Sequence, residues 1–363
     1  MTSAGATAGA TAGAVRPSRT AAHLATLRPY DLVAVLMVAA AGAALAAPHP
    51  DPALVALAVV TALTAGAGAL YGADYLTRHD DFTTKPDRPI PSGRLPAATA
   101  RSCAVGGALT AVLVTAAVNW HGLLFVTAAA AGQIGYARWL KDRGWWGDLA
   151  VGLSGWTCSL LSAAAFTAAW PPAALWPPAL ALGLQGAFGN TLLALGDHDA
   201  DRAVGRRTVP VRFGPDGARA AMAGSALACY ALAVTVPDVL HRPPTAAFTT
   251  LTAAAALLAA AACLLSDAAG SRPARLFGVS VRATELHFHE RVLLPAGLLA
   301  LTAGALPVLC AALAGSCVLA LTPRSMLGAP HRPAPDQRSR PPSSVGPPPV
   351  SSSSAVSSSP AGR

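Results

Sequence analysis

The chain has 363 residues, 53% of them apolar and 12% charged, with a formal net charge of +9. Charged residues at half the usual share of roughly 25% exclude an ordinary soluble domain and predict an integral membrane protein. The positive balance lies in short stretches beside apolar runs, which points to a lipid bilayer as partner and not to nucleic acid.

Residues 1–27 are rich in Ala, Thr and Gly and unpatterned, so a disordered segment is expected there. They lack the compact apolar core and cleavage site of a signal peptide. From Leu32 onward nine apolar runs are long enough to cross, or nearly cross, a bilayer. They are Leu32–Ala47, Ala53–Gly72, Cys103–Val118, Gly122–Tyr136, Leu149–Ala169, Ala173–Leu195, Ala218–Val236, Ala246–Leu265 and Val292–Leu321. The expected fold is all-α and polytopic, with nine transmembrane helices around a central cavity in a domain spanning 28–322. Residues 323–363 turn to Pro, Ser and Arg, a composition that cannot bury a core, and are expected to be a flexible tail.

The basic residues test this segmentation, because cytoplasmic loops should hold the excess of Lys and Arg. The N-terminus and the loops after segments two, four, six and eight carry nearly all of them, while the intervening loops hold only Arg242. The N-terminus and both acidic loops described next are therefore expected on the cytoplasmic side of a multi-pass cell-membrane protein. A ninth crossing would put the C-terminal tail outside. Six of the seven tryptophans lie near segment ends, as an interfacial belt should, and Trp156 is the exception. The six cysteines have no metal-ligand spacing and read as buried filler.

Two stretches stand out. Ala73–Arg94 (ADYLTRHDDFTTKPDRPIPSGR) packs Asp74, Asp80, Asp81 and Asp87 among basic residues directly after an apolar run. Gly196–Thr208 (GDHDADRAVGRRT) has the same character. Asp74 and Asp81 are seven apart and share a face if segment two continues helically through them; Asp197 and Asp201 are four apart and share one also. Carboxylates crowded at an apolar boundary repel one another unless cations neutralise them. Magnesium suits the task, taking oxygen ligands and completing its shell with water and phosphate oxygens. Interleaved arginines can clamp the remaining phosphate oxygens, and an apolar bundle behind them can bury a hydrocarbon tail. For one Asp alone a solvated loop charge explains as much. Two clusters at matching helix exits favour a shared site for a lipid diphosphate.

These residues resemble the motifs of the UbiA superfamily of intramembrane prenyltransferases, over roughly Arg28 to Leu321. The first family motif, NDxxDxxxD followed by a P-x-R-P-I-P-S-G turn, is matched by Asp74, Asp81 and the intact PDRPIPSGR of Pro86–Arg94. The second, DxxxD followed by G-D-R-x-x-G-x-x-T-x-P-V-R-x-G, is matched closely by Asp197–Gly214, with Ala200 where Gly is frequent. A third match is Tyr136, Lys141, Gly147, Asp148, Val151 and Gly152. The resemblance implies transfer of an isoprenyl group from an isoprenyl diphosphate to a small acceptor, an aromatic one among the candidates. It implies Mg2+ held by Asp81, Asp197 and Asp201, with Asp74 and Asp80 as further ligands. Arg28, Arg88, Lys141, Arg202 and Arg207 would stabilise charge, Tyr136 would contact the prenyl chain or a diphosphate oxygen, and Asp148 would bind substrate.

The departures also matter. Ala73 replaces the motif Asn, Thr77 the second motif Asp, and Asp148 stands where Asn is usual. Cyclisation of the isoprenyl diphosphate and a non-catalytic lipid-diphosphate binder are therefore the alternatives. A further cluster, Glu285, His287, His289 and Glu290 in ELHFHE, falls in the expected loop between segments eight and nine. It has no zinc pattern and its spacing scatters it over different helix faces. His79 and His198 read as polar loop residues.

Overall fold

The computed structural model describes residues 18–268 and 273–321, and every regular element among them is helical. In chain order these are α1 (Arg19–Leu27), α2 (Pro29–Leu45), α3 (Pro52–Thr84), α4 (Ala97–Val118), α5 (Leu123–Gly135), α6 (Trp145–Gly152), α7 (Cys158–Ala164), α8 (Trp176–Gly196), α9 (His198–Ala203), α10 (Val209–Val239), α11 (Ala246–Ala268), α12 (Pro273–Leu299) and α13 (Ala305–Leu321). A π-helical turn, Tyr136–Leu140, extends α5, and a second, Leu153–Thr157, joins α6 to α7. Such turns insert one residue into the helical ladder and re-aim the side chains they carry.

The helices form one bundle. Within it α2 packs on α3, α7 and α12, α8 packs on α6, α10 and α12, and α11 packs on α10 and α12. Leucines such as Leu113, Leu227 and Leu257 face outward at 66%, 75% and 71% exposure. A water-soluble bundle would not leave so much apolar surface bare, whereas lipid chains match it. The six tryptophans near segment ends are all exposed, as a belt requires, and Trp156 is turned inward.

Four expectations change. Arg19–Leu27, inside the stretch expected to be disordered, is helix α1, started by the Ser18 hydroxyl accepting from the Ala21 amide at 3.2 Å. The count of nine spans is not reproduced as nine separate apolar helices. Among the described residues five are long and apolar enough alone, and α1 with α2, bent by 44°, make a sixth. Val292–Leu321 is not one span: α12 stops at Leu299, residues 300–304 turn, and α13 doubles back against α12 and α2. The run has more residues than the roughly 20 that one crossing needs, and Pro307, which lacks an amide hydrogen, falls in the first turn of α13, where no helix bond is lost. Finally, ELHFHE lies within α12 and not in a loop. Residues 1–17 and the expected tail from 323 lie outside the described residues.

Two glycines set the frame of the site. Gly152 brings α6 against α8, where an added Cβ would sit 2.0 Å from the Gly183 carbonyl oxygen. Gly214, at φ 73°, breaks α10 after a short arm beginning at Val209, a conformation other residues rarely adopt.

Candidate active site

Helix α3 runs unbroken through the first acidic stretch, so Asp74 and Asp81 do share a face, and both are buried at 4% exposure. Lys85 ends the helix. The following turn uses Gly93 at φ 73° and a bond from the Leu95 amide to the Pro89 carbonyl (2.9 Å) to fold back on α3. That return places Arg88 Nη1 2.8 Å from Asp81 Oδ2 and 3.5 Å from Asp74 Oδ1. Arg28 stands at the α1–α2 bend in the left-handed region (φ 43°), and its Nη2 donates to Asp74 Oδ1 at 2.6 Å. A non-glycine residue held at positive φ beside a buried carboxylate is the kind of local strain that collects at functional sites.

The second acidic stretch begins where α8 ends at Gly196. Asp197 caps the turn, and its carbonyl accepts from the Asp201 amide at 2.8 Å. The two stretches face each other. Lys85 Nζ from the first is 2.8 Å from Asp197 Oδ2 of the second. Arg206 from the second donates to Asp80 of the first at 2.7 Å, with its Nε 3.9 Å from Asp201 Oδ1. Burial, reinforced by the nearby Asp197 charge, raises the Asp201 carboxyl above the ordinary range. Lys141, in the turn between α5 and α6, is shifted the other way. Burial first, then the Arg206 and Lys85 charges, lower its ammonium to about 8.

Placement refines the expected residue set. Arg202 and Arg207 are exposed, and the bridging cation is their neighbour Arg206. Asp80 is mostly exposed and serves as the partner of Arg206, away from the buried carboxylates. Asp148 is held by α8. Its carboxylate accepts from Asn190 Nδ2 (2.6 Å) and Thr191 Oγ1 (2.5 Å) on α8, and Asn190 Oδ1 accepts from the Tyr136 hydroxyl at 3.2 Å. Tyr136 and Asp148 are thus tied together through α8. Thr77, in place of a motif carboxylate, donates to Asp81 Oδ2 at 2.8 Å and orients it. Asn190, Thr191 and Lys85 did not figure among the expected site residues. Polar Asn190 and Thr191 inside an apolar run were the available signal. In α12, His287 and Glu290 are buried and bonded to each other at 2.5 Å, and Glu290 also accepts from Tyr230 and Gln185. They bind helices together instead of scattering over different faces.

The donor set fits magnesium: it consists of carboxylate oxygens crowded at an apolar boundary, with basic side chains beside each of them. Among the described residues no three such ligands already converge on one point. Each carboxylate is instead held by a cation from the protein.

Residues 35–284 match the UbiA prenyltransferase family. The chain belongs to that family. Among curated relatives, digeranylgeranylglyceryl phosphate synthase of Ignicoccus hospitalis is 32% identical over 219 residues, covering 59% of this chain and 70% of that protein. The bacteriochlorophyll synthase 33 kDa chain of Rhodobacter capsulatus is 32% identical over 184 residues, 47% of this chain and 58% of that one. Among solved folds, a UbiA homologue from Aeropyrum pernix K1 superposes with a TM-score of 0.63 at 19% identity, covering 74% of this chain and 97% of that structure. A homologue from Archaeoglobus fulgidus bound to GPP and Mg2+ gives 0.56 at 15% identity, over 75% and 99%. The protein is a UbiA-type prenyltransferase with a multi-pass membrane fold.

Proposed function

We propose that this UbiA-family protein transfers an isoprenyl group from an isoprenyl diphosphate to a small acceptor in a magnesium-dependent reaction. The observation that carries the reading is the cross-pairing of the two acidic stretches, Lys85 with Asp197 and Arg206 with Asp80 and Asp201. Asp74, Asp81, Asp197 and Asp201 are the residues that would hold Mg2+. When bound, the metal supplies positive charge to the diphosphate as it leaves. With a diphosphate bound, Arg28, Arg88, Lys85 and Arg206, which now pair with these carboxylates, would be free to donate to phosphate oxygens. The closely packed apolar bundle keeps water from the allylic cation until the acceptor attacks. The Archaeoglobus homologue bound to GPP and Mg2+ supports this assignment. The basic-residue pattern supports a cytoplasmic position for both acidic stretches and for the N-terminus.

The testing experiment is a magnesium-dependent diphosphate-release assay on membranes carrying the protein, with geranyl, farnesyl and geranylgeranyl diphosphates. Transfer requires release coupled to consumption of an added acceptor. Release with a cyclic hydrocarbon product would replace transfer by cyclisation, and binding without release would leave a carrier.

Lys141 adds a pH signature. Its charged form, present below about 8, is the one that stabilises a leaving diphosphate. On this reading kcat/KM for the isoprenyl diphosphate falls as pH rises through about 8, because free-enzyme ionisations govern that parameter. Lys141→Arg moves the alkaline limb upward. An alkaline limb unchanged in Lys141→Arg would remove Lys141 from this role.

A further inference from the structure

Asp148 of α6 is a buried carboxylate to which the proposed diphosphate chemistry gives no task. Asp74, Asp81 and Asp197 each meet an arginine or lysine of the protein. Asp148, 8% exposed, is held by two neutral donors, Asn190 Nδ2 at 2.6 Å and Thr191 Oγ1 at 2.5 Å. Among the described residues no basic side chain pairs with it. Burial raises its carboxyl to about 6, against the pull of those two bonds, so it is ionised at neutral pH.

A buried charge without a counter-charge is costly, and one that is kept asks for a cause. A structural tie between α6 and α8 accounts for the two bonds but not for the charge. An asparagine at this position would tie the helices equally well. Its carbonyl would accept from Asn190, and its NH2 would donate to the Thr191 hydroxyl, whose proton already has a second acceptor in the Ala187 carbonyl at 3.1 Å. What the carboxylate adds is its charge.

The direction of the hydrogen bonds shows what that charge does. An ionised carboxylate only accepts, so Asn190 must turn its NH2 to Asp148. The Asn190 oxygen then faces Tyr136, whose hydroxyl donates its single proton to it at 3.2 Å. The chain runs one way, from Tyr136 to Asn190 to Asp148, and the charge at its end polarises both bonds. Tyr136 is carried on the π-helical turn that extends α5, and its hydroxyl is close enough to Asp201 and Arg206 to feel both charges. With its proton committed, the phenol oxygen offers the diphosphate site lone pairs only. It cannot donate to a phosphate oxygen, and it suits a positive charge. When the bond from the isoprenyl carbon to the diphosphate oxygen breaks, the electron pair leaves with the diphosphate and a positive charge stays on the allylic carbons. We propose that Asp148 is a positioning residue for this ionisation: acting through Asn190, it holds the Tyr136 proton away from the site and presents an electron-rich Tyr136 oxygen to the developing cation. This rests on the prenyl-transfer reading and adds a residue to its bond-breaking step.

The test uses the full chain in lipid nanodiscs with Mg2+ and excess protein over geranyl diphosphate. Single-turnover release of diphosphate without an acceptor follows slow trapping of the cation by water, so it reads ionisation alone. Binding of geranyl thiolodiphosphate, an unreactive donor, is measured beside it. Asp148→Asn keeps both helix bonds and removes the charge. It is expected to slow release about tenfold, the difference between a hydrogen-bond chain ending on a charge and one ending on an amide, with unchanged affinity for the thiolo analogue and an unchanged melting temperature. The double variant D148N/N190D moves the charge one step along the chain, where the Tyr136 hydroxyl donates to it directly, and is expected to recover most of the rate. Tyr136→Phe removes the end of the chain, so adding D148N to it should slow release no further. Wild-type release in D148N would overturn the proposal, as would an equal loss in D148N/N190D or a full second loss on top of Y136F. Loss of release and of analogue affinity in parallel would reduce Asp148 to a tie between helices and overturn it also. A wild-type protein that binds the analogue and releases no diphosphate fails earlier, at the prenyl-transfer reading, and takes the proposal with it.

Discussion

Asp197→Asn and Asp201→Asn are each expected to lower kcat/KM for an isoprenyl diphosphate by at least about a hundredfold, beyond the roughly 10–100-fold typical of residues that only support a metal ligand. The amide keeps the shape of the side chain and its place in the turn, where Asp201 bonds to the Asp197 carbonyl through its main-chain amide. What it removes is the negative charge. Asp201 sits where burial and a neighbouring carboxylate already disfavour that charge, so the folded protein gains little from it without a cation. The same substitutions should therefore leave membrane insertion and monodispersity intact while shifting the magnesium titration to higher concentration. Full turnover in both variants, measured as diphosphate release, would remove the second acidic stretch from the chemistry.

Gly152→Ala is the other large effect, and it acts on assembly. The new methyl would lie 2.0 Å from the Gly183 carbonyl oxygen and 2.8 Å from the Ala187 amide nitrogen, both main-chain atoms of α8. No flexible side chain can yield, so α6 and α8 must move apart, and the bonds from Asn190 and Thr191 to Asp148 cross that same interface. Overpacking of this kind costs about 1–3 kcal/mol, and more where backbone blocks relaxation. The expected result is a clear fall in the melting temperature of the detergent-solubilised protein, with loss of activity in step. Gly155→Ala is the control, since its methyl meets only the Gln133 side-chain amide at 3.3 Å. Equal melting temperatures for the two variants would show that the α6–α8 contact tolerates separation.

The first acidic stretch was legible because helical periodicity is a local property: seven residues separate Asp74 from Asp81, and α3 needs no tertiary help to align them. The choice of Arg206 over Arg202 and Arg207 was not. It is decided within the six-residue helix α9 and a turn at Gly205 (φ 75°), too short for any period to emerge. Helix α12 was missed for a different reason. Hydropathy counts Glu290 and Arg291 as costs, but their partners, Tyr230 and Gln185 for one and Asp31 for the other, come from distant helices. The spacing of ELHFHE placed its acids and imidazoles on separate faces, yet His287 and Glu290, three apart, bond directly.

The turn at residues 300–304 sends α13 back along α12 toward the end of the bundle where α12 begins. Taken as one outgoing run, Val292–Leu321 would end on the face opposite the one from which it sets out. Divided into an outgoing α12 and a returning α13, the run ends at Leu321 on the side from which it set out. A cysteine introduced just after Leu321 should accordingly react with an impermeant maleimide from the same side as one placed in the Pro86–Arg94 turn.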